Sequence, residues 1–169
     1  MNEKIDRPKL ESAHAPVEIE RKFLVANDEW KHSIVRSESI RDGLIAAYKD
    51  RKVRVRISGN TATIAIKGPR TGLTRPEFEY GIPFSDAERM LSTICRDDTR
   101  SSAFLLRTAT AVCHVDVYGG LLESFVIAEI ELKQETEELA LPCWIGKEVT
   151  GDSHYRKINM VARRAGSQR

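Results

Sequence analysis

Residues 17–25 read VEIERKFLV, and this stretch alternates between apolar and charged side chains. Successive side chains of a β-strand point to opposite faces, so a period of two predicts a strand. The apolar face carries Val17, Ile19, Phe23 and Val25, while the opposite face carries Glu18, Glu20 and Lys22. The stretch therefore predicts a strand with one apolar face and one charged face.

The same alternation returns further along the chain. Residues 52–67 predict a β-hairpin, because Arg54 and Arg56 oppose valines and an isoleucine before Ser-Gly-Asn turns the chain into TATIAIK. Residues 77–80 alternate Glu with Phe and Tyr and predict another strand. Two more strands are expected around Phe104 to Val117 and around Phe125 to Lys133, with Gly119-Gly120 beginning the turn between them.

Helices are predicted between these strands. A short helix is expected at Asp28 to Ser33, capped by Asn27 or Asp28, with Trp30 packing inward. The clearest amphipathic pattern spans Phe84 to Cys95, with Ser85 or Asp86 as the candidate N-cap. A third, short helix is expected near Tyr155 to Ala162. Residues 68–74, GPRTGLT, and residues 146–152, GKEVTGD, are predicted as loops.

Composition bounds the domain organisation and the cellular setting. The chain has 169 residues, of which 41% are hydrophobic, and a net charge of only +2, which disfavours nucleic-acid and membrane partners. Residues 1–16 contain few apolar side chains and two prolines, so they are expected to form a disordered tail before a single domain at 17–164. The three cysteines have no CxxC spacing, and neither a signal peptide nor a membrane span is evident, so a cytoplasmic protein is expected.

The recurrence of charge on one face of every strand indicates an enclosed charged interior. A single charged face is usually solvated surface, but an ordinary exposed face would also contain Thr, Ser and Gln. If the strands close into a barrel with their apolar faces turned outward against helices, the charged faces line its interior. The side chains concerned are Glu18, Glu20, Lys22, Arg54, Arg56, Lys67, Glu77, Glu79, Arg107, Asp116, Glu129 and Glu131.

Seven acids and five bases confined in one space must pair with one another, or must bind a ligand that offers anionic groups to the bases and a cation to the acids. Lys and Arg neutralise phosphate oxygens, and Arg does so with two parallel donors. Carboxylates bind Mg²⁺ or Mn²⁺, hard cations that bridge to phosphate oxygens. The charged lining therefore predicts that the barrel binds a small polyanionic ligand together with a divalent metal ion.

The VEIERKFLV stretch resembles the ExExK signature of the CYTH domain, or triphosphate tunnel metalloenzyme, superfamily. Six further stretches resemble successive motifs of its short bacterial members, in the same order, and the resemblance covers Val17 to about Met160. These stretches are RVRISG, TIAIKG, RPEFEYGIPFSDAERML, HVDVYGG, VIAEIEL and IGKEVTGDSHY. The resemblance implies an α+β fold: a mainly antiparallel, eight-stranded β-barrel that forms a tunnel, with helices packed outside.

The resemblance also implies roles for the charged residues. Glu18, Glu20, Asp116, Glu129 and Glu131 match metal-binding acids of the family. The residues that match its triphosphate contacts and further tunnel acids are Lys22, Arg54, Arg56, Lys67, Arg107, Glu77 and Glu79. Catalysis is expected from Glu18, Glu20, Lys22, Glu129 and Glu131, acting with Mg²⁺ or Mn²⁺.

Two stretches depart from the family pattern. Leu105 stands at a position that is usually basic, and residues 42–45 read DGLI where relatives carry a QGYL-like segment. Loss of one charged phosphate contact costs about 1.5 to 3 kcal/mol of binding. Lys147 and Lys157, in the C-terminal part that can cover one tunnel mouth in relatives, are candidate secondary contacts.

Other reactive side chains have simpler interpretations. His114 has no second histidine at metal-ligand spacing and is expected to be a partly buried, hydrogen-bonding residue. Cys113 is expected to be a small packing residue, since nothing suggests that its pKa is lowered. Arg163 and Arg164 are expected to be solvated on a terminal helix.

Three functions are compatible with the sequence. The leading hypothesis is metal-dependent hydrolysis of a small-molecule triphosphate, most of all inorganic tripolyphosphate. The second is a class IV-type adenylate cyclase that makes cyclic AMP from ATP, although no aromatic or amide cluster for a purine is evident. The third is a polyphosphate- or nucleotide-binding module without catalysis. A homodimer is compatible with an open-ended barrel that leaves apolar surface on one side.

Overall fold

The computed structural model describes residues 16–107 and 112–166 and contains a closed antiparallel barrel of eight strands. The predicted disordered tail at 1–16 falls, apart from Pro16, outside the described residues. The strands are β1 (Val17–Val25), β2 (Ile34–Tyr48), β3 (Arg51–Ser58), β4 (Thr61–Lys67), β5 (Thr74–Gly81), β6 (Asp98–Arg107), β7 (Val112–Tyr118), β8 (Val126–Glu131) and β9 (Ile145–Glu148). The helices are α1 (Phe84–Thr93) and α2 (Lys157–Gly166), with short 3₁₀ helices at Asp28–Ser33, Gly120–Leu122 and Ser153–Tyr155.

The barrel closes between β1 and β5. Around it the strands follow the order β5-β4-β3-β2-β6-β7-β8-β1, and β1 returns to β5 through the pairing of Glu18 with Arg75. The short β9 pairs with the far half of β1, outside the ring of eight strands. Closure removes the exposed strand edges that an open sheet would present. The predicted α+β fold class, a barrel with helices outside, is confirmed.

Apolar side chains lie between the outer faces of the strands and their coverings. Phe23, Leu106 and Ile130 pack with Trp30 of the first 3₁₀ helix, and the Trp30 ring meets Phe104 edge-on at 5.2 Å between centroids. Helix α1 buries Ala87 and Leu91 against Val55, Ile57 and Ala62 of the β3–β4 hairpin. Because the apolar faces point outward, the charged faces must point into the barrel, as the alternation predicted.

A third apolar cluster closes one end of the barrel. Met160 of α2 packs against Tyr118, Leu122 and Ile127, all of which are buried. Helix α2 therefore lies across that end, with Lys157 on its first turn inside the barrel lining. In the described part of the chain, no helix has the length and apolarity needed to span a membrane.

Most predicted elements are present, and four details differ. The short helix at Asp28–Ser33 is capped by Asn27, whose side chain accepts from the backbone N–H of Glu29. Helix α1 starts one residue before the candidate caps, because the Pro83 carbonyl accepts from the backbone N–H groups of Asp86 and Ala87, so the prediction of Ser85 or Asp86 as N-cap was wrong.

The remaining differences concern strands. The single strand expected from Phe104 to Val117 is two antiparallel strands, β6 and β7, which pair with each other. The sequence of residues 108–111 contains neither Gly nor Pro, so it gave no signal of a break between two strands. Strand β2 was not predicted. Part of the loop expected at 146–152 belongs to β9, which pairs with β1 between Val25 and Ile145.

Candidate active site

The interior of the barrel is a cavity of about 290 Å³, and side chains of seven barrel strands line it together with α2. Its wall carries more positive than negative charge. The described basic side chains on it are Lys22, Lys49, Arg51, Lys52, Arg54, Arg56, Lys67, Arg70, Arg75, Arg156 and Lys157. The described acidic ones are Glu20, Asp42, Asp50, Asp116, Glu129 and Asp152. The chain as a whole is almost neutral at +2, so the positive surplus is concentrated inside the barrel.

Seven of the residues selected from the sequence line this cavity together. They are Glu20, Lys22, Arg54, Arg56, Lys67, Asp116 and Glu129. Glu18 and Glu77 lie beside the cavity and share one cation, since the Lys67 ammonium is 2.8 Å from a carboxylate oxygen of each. The structure thus brings nine of the twelve residues into one connected group.

The other three, Glu79, Arg107 and Glu131, are exposed and are absent from the described cavity wall. Glu131 pairs with Glu20 across the β1–β8 ladder, and Glu79 follows Glu77 on the same face of β5. A period of two identifies the face of a strand but not the depth of a residue along the barrel. These residues share the charged face but lie toward the strand ends.

The ammonium group of Lys22 on β1 joins two acids, Glu20 of β1 and Glu129 of β8. The Lys22 Nζ atom donates a hydrogen bond to Glu129 and lies 3.4 Å from Glu20 Oε1. Glu20 also accepts from Arg70 at 2.6 Å and from Arg75 at 3.1 Å. Burial alone would raise the pKa of Glu129, but the charge of Lys22 lowers it to about 2. The Lys22 charge therefore keeps the Glu129 carboxylate ionised, and Glu20 is in contact with three cations.

A second group surrounds Asp42, which is 1% exposed. Its Oδ1 atom accepts from Arg54 Nε at 2.6 Å, and its Oδ2 atom accepts two bonds from Arg56 at 3.2 Å. The Lys157 ammonium stands 3.8 Å from Oδ2 and 5.1 Å from the centre of the Tyr118 ring. Against the effect of burial, Lys157, Arg54 and Arg56 hold the pKa of the Asp42 carboxyl well below its usual range.

Asp116 is in the opposite electrostatic situation. Burial and the nearby charge of Glu129 raise the pKa of its carboxyl group, and Arg56 and Lys157 only partly offset this. An unpaired carboxylate next to another carboxylate is a place where an added cation is favourable. The two acids therefore provide a negative patch within a positive cavity.

The donor chemistry of the cavity fits a hard divalent cation. Glu20, Asp116 and Glu129 offer carboxylate oxygens, which Mg²⁺ and Mn²⁺ prefer as ligands. Among the residues with described positions, no three acidic, histidine or cysteine side chains are gathered closely enough to form a ready-made metal site. Instead, the Lys22 ammonium lies between Glu20 and Glu129, so a metal ion that used both acids would have to displace it.

The sequence interpretation missed several charged residues of the wall, among them Arg75, Lys52, Asp42 and Arg70. Arg75 precedes Glu77 by two positions, and Lys52 precedes Arg54 by two, so the period that identified their neighbours would have found them as well. Asp42 lies on the unpredicted strand β2. Arg70 lies in the predicted loop at 68–74, where no periodicity exists to place its side chain.

The residues to which the sequence analysis gave no role in the site lie away from this wall. Cys113 is fully buried in the outer apolar cluster, and burial raises the pKa of its thiol to about 12, which removes it as a nucleophile. Leu105 pairs with His114 across the β6–β7 ladder, and neither belongs to the described cavity wall.

Comparison with known proteins agrees with this geometry. The CYTH domain family matches residues 16–164. This chain belongs to the CYTH domain family. It is 38% identical over 145 residues to the inorganic triphosphatase of Acetivibrio thermocellus, a match that covers 85% of this chain and 92% of that protein. The resemblance stated from the sequence motifs is confirmed.

Solved structures of this fold agree as well. The crystal structure of the inorganic triphosphatase NE1496 is 24% identical, covers 85% of this chain and 97% of its own, and superposes with a TM-score of 0.63. A putative adenylate cyclase from Bacillus halodurans is 15% identical, covers 70% of this chain and 81% of its own, and has a TM-score of 0.57. At these identities the likeness concerns the fold alone.

Proposed function

We propose that this CYTH protein is a divalent-metal-dependent triphosphatase and that inorganic tripolyphosphate is its substrate. The observation that carries the proposal is the convergence of cations and carboxylates from seven barrel strands on one cavity with a positive surplus. A triphosphate needs cations for its oxygens, and a metal ion needs the acids. The 38% identity to a protein named inorganic triphosphatase, over most of both chains, supports the same reaction.

In this proposal the phosphates replace the carboxylates that hold the basic side chains in the structure. Arg54 and Arg56 each direct donors at Asp42, and Lys67 directs its ammonium at Glu18 and Glu77. These donors are charged and already oriented, so a phosphate oxygen entering the cavity meets them with little reorganisation. Glu18 and Glu77 act indirectly, by orienting Lys67 before the triphosphate enters. The exposed Glu79, Arg107 and Glu131 have no direct contact with the triphosphate.

The metal ion, Mg²⁺ or Mn²⁺, is assigned to Glu20, Glu129 and Asp116. When bound it supplies positive charge near the scissile phosphate and lowers the pKa of coordinated water. A metal ion held by Glu20 and Glu129 would take the place of the Lys22 ammonium, because the two cations cannot occupy one position, and Lys22 would then be free to contact a phosphate oxygen. Helix α2 shields this end of the cavity from bulk water through the packing of Met160 on Tyr118 and Ile127.

The other two functions receive less support. The aromatic side chains on the described cavity wall are Tyr118, whose ring faces Lys157, and Tyr155, so a purine platform for ATP cyclisation is not apparent there. The acids Glu20, Asp116 and Glu129 are all present, which a binding module without catalysis would not need. Leu105 lies outside the described wall, whose positive surplus exists without a basic residue there.

Phosphate release from tripolyphosphate, ATP and thiamine triphosphate, each with Mg²⁺ and with Mn²⁺, tests the proposal. We expect the highest kcat/KM with tripolyphosphate. Glu129→Gln should lower kcat at least a hundredfold because it removes a metal ligand, while Arg56→Ala should mainly raise KM, by about tenfold or more. Glu123→Gln, an exposed acid outside the cavity wall, is the matched control and should leave both constants unchanged.

The outcomes separate the three functions. Formation of cyclic AMP from ATP would show that the protein is an adenylate cyclase rather than a triphosphatase. Tight triphosphate binding with no phosphate release under either metal would select the binding module. Normal kinetics in both Glu129→Gln and Arg56→Ala would contradict the site itself.

Two further expectations remain proposals. A cytoplasmic location is supported by three cysteines that are free in the structure, Cys95, Cys113 and Cys143. A homodimer is supported by the exposed apolar side chains of Tyr48, Ile66 and Tyr80 on the outside of the barrel.

A further inference from the structure

We propose that Lys52 of β3 is an additional substrate-binding residue, whose amine contacts a phosphate oxygen of the bound triphosphate and accepts a proton as the anion enters. This inference rests on the proposed triphosphate site and extends it to a residue outside the family signature. Lys52 lines the cavity two positions before Arg54, and it pairs across the β3–β4 ladder with Lys67. Its side chain therefore points into the barrel among the assigned cations.

Lys52 differs from its cationic neighbours in having no carboxylate partner. Lys22 is paired with Glu129, and Lys67 is paired with Glu18 and Glu77. Arg75 and Arg54 are likewise bound to acids, through Glu18 and Asp42. Within residues 16–107 and 112–166, Lys52 makes neither an ion pair nor a side-chain hydrogen bond. It is thus a partly buried donor whose acceptor has to come from a ligand.

The surrounding charges favour a neutral amine until an anion arrives. Burial, together with Arg75, Lys67, Lys22 and Arg54, lowers the pKa of Lys52 to about 7. A phosphate oxygen beside the amine favours its charged form and raises that pKa again. Near or above neutral pH, binding of a triphosphate should therefore transfer a proton from solvent to Lys52.

The structure gives a reason for such a residue. Four paired cations form the ring around Lys52, and their net charge is reduced by Glu18, Glu20, Asp42 and Glu129. A permanently charged fifth cation would repel that ring in the empty cavity, whereas an amine that loses its proton does not. The Lys52 amine can therefore stay neutral in the empty site and become charged when the triphosphate is present.

Metal-free calorimetry tests this inference separately from catalysis. Tripolyphosphate is titrated into the full chain with a chelator at pH 8, in two buffers of different ionisation enthalpy. The native protein should take up nearly one proton more than Lys52→Met, because a group with a pKa near 7 is about nine-tenths neutral at pH 8. Lys52→Met should bind tripolyphosphate roughly tenfold more weakly or worse at pH 6.5, where the native amine is largely charged.

Two variants separate charge from structure. Lys52→Arg should retain most of the affinity but lose the proton uptake, since a guanidinium stays charged at this pH. Lys31→Met, an exposed lysine on the first 3₁₀ helix, should match the native protein in both readouts. Lys52→Met should melt no lower than the native protein at pH 6, because the charged amine, whose pKa is below its ordinary value, destabilises the empty fold there.

The inference is overturned if Lys52→Met binds tripolyphosphate as tightly as the native chain, or if native proton uptake equals that of Lys52→Arg. Absence of metal-free binding by the native protein would also overturn it, because Lys52 requires no metal to meet a phosphate. Failure of the proposed function looks different: tripolyphosphate would bind with proton uptake, yet no metal would support phosphate release.

Discussion

At the scale of single residues, Asp42 shows how the empty cavity balances its charges. Replacing it by Asn preserves the shape but leaves the buried Arg54 guanidinium without its counter-charge. Removal of one partner of a buried ion pair typically costs about 3 kcal/mol of the free energy of unfolding. We therefore expect Asp42→Asn to lose about 3 kcal/mol in urea denaturation. Added phosphate should restore more stability to the variant than to the native protein, because phosphate can take the place of the lost carboxylate.

The pH dependence of this effect has a definite sign. The folded-state pKa of Asp42 lies below its ordinary value of 3.8, so its contribution to stability is fully present above about pH 4. That contribution decreases as the pH falls toward the folded-state pKa. The difference in the free energy of unfolding between the native protein and Asp42→Asn should therefore become smaller at low pH. Asp98→Asn is the matched control, because Asp98 pairs with Arg41 at the surface and should cost at most about 1 kcal/mol. Equal losses in Asp42→Asn and Asp98→Asn would contradict the assigned role of burial.

The alternation of single residues predicted much of the site. Glu20, Lys22, Arg56 and Glu129 were selected because one face of each strand carried charge, and the structure places all four in one cavity. What alternation could not supply was depth, which depends on where each strand crosses the barrel. Glu131 has the right parity for the interior and is nevertheless exposed.

At the scale of elements, the contact between β2 and α1 fixes the position of Asp42. Gly43 follows Asp42, and a Cβ atom there would lie 2.6 Å from Leu91 Cδ2 and 2.7 Å from Cys95 Sγ. The helix can approach β2 this closely because residue 43 has no side chain. Residues 42–45 differ from the family pattern, but they keep the glycine that this packing requires.

Gly43→Ala should therefore push α1 away from β2. The expected loss is about 1 to 3 kcal/mol in the free energy of unfolding, the usual cost of overpacking a core. A shift of the adjacent Asp42 should also raise the KM for the triphosphate, which a purely peripheral change would not do. Gly81→Ala is the control, because a Cβ there meets no heavy atom within 4 Å, and it should change stability by less than about 0.5 kcal/mol. Unaltered stability of Gly43→Ala would show that α1 adapts without strain.

The elements that were missed have physical reasons. Strand β2 reads IVRSESIRDGLIAAY, and its pairing shifts register between Leu44 and Ala46, so no continuous period of two exists along it. Strand β9 has four residues, and its pairing with β1 is irregular between Phe23 and Val25. Such strands form because neighbouring strands offer partners, which a local pattern does not record.

At the scale of the whole molecule, closure of the barrel turns a nearly neutral chain into one with a strongly positive interior. The sequence predicted that charge of both signs would be enclosed, but its overall balance of 27 basic and 25 acidic residues gave no sign of a surplus. The surplus arises because further cations join the wall, among them Lys52, Arg70, Arg75 and the α2 residue Lys157. Arg70 lies in a loop and Lys157 on α2, so their positions follow from the three-dimensional path of the chain. Lys52 and Arg75, in contrast, share the parity of the charged residues selected on their own strands.

A positive cavity should make triphosphate capture depend strongly on salt. The Debye length shrinks from about 8 Å at 0.15 M to about 3 Å at 1 M ionic strength, so the attraction that leads a polyanion to the mouth is lost as salt rises. We expect kcat/KM for tripolyphosphate to fall about tenfold or more over this range, mainly through KM. The pairs around Asp42 and Lys22 lie inside the cavity, where salt screens charges less than at the mouth, so kcat should change less. Neutralising the exposed rim cations in Lys49→Gln/Arg51→Gln should flatten the dependence, whereas Lys133→Gln, exposed and absent from the cavity wall, should leave its slope unchanged. A slope shared by all three proteins would mean that the rim does not attract the substrate, and that capture depends on the contacts inside the barrel alone.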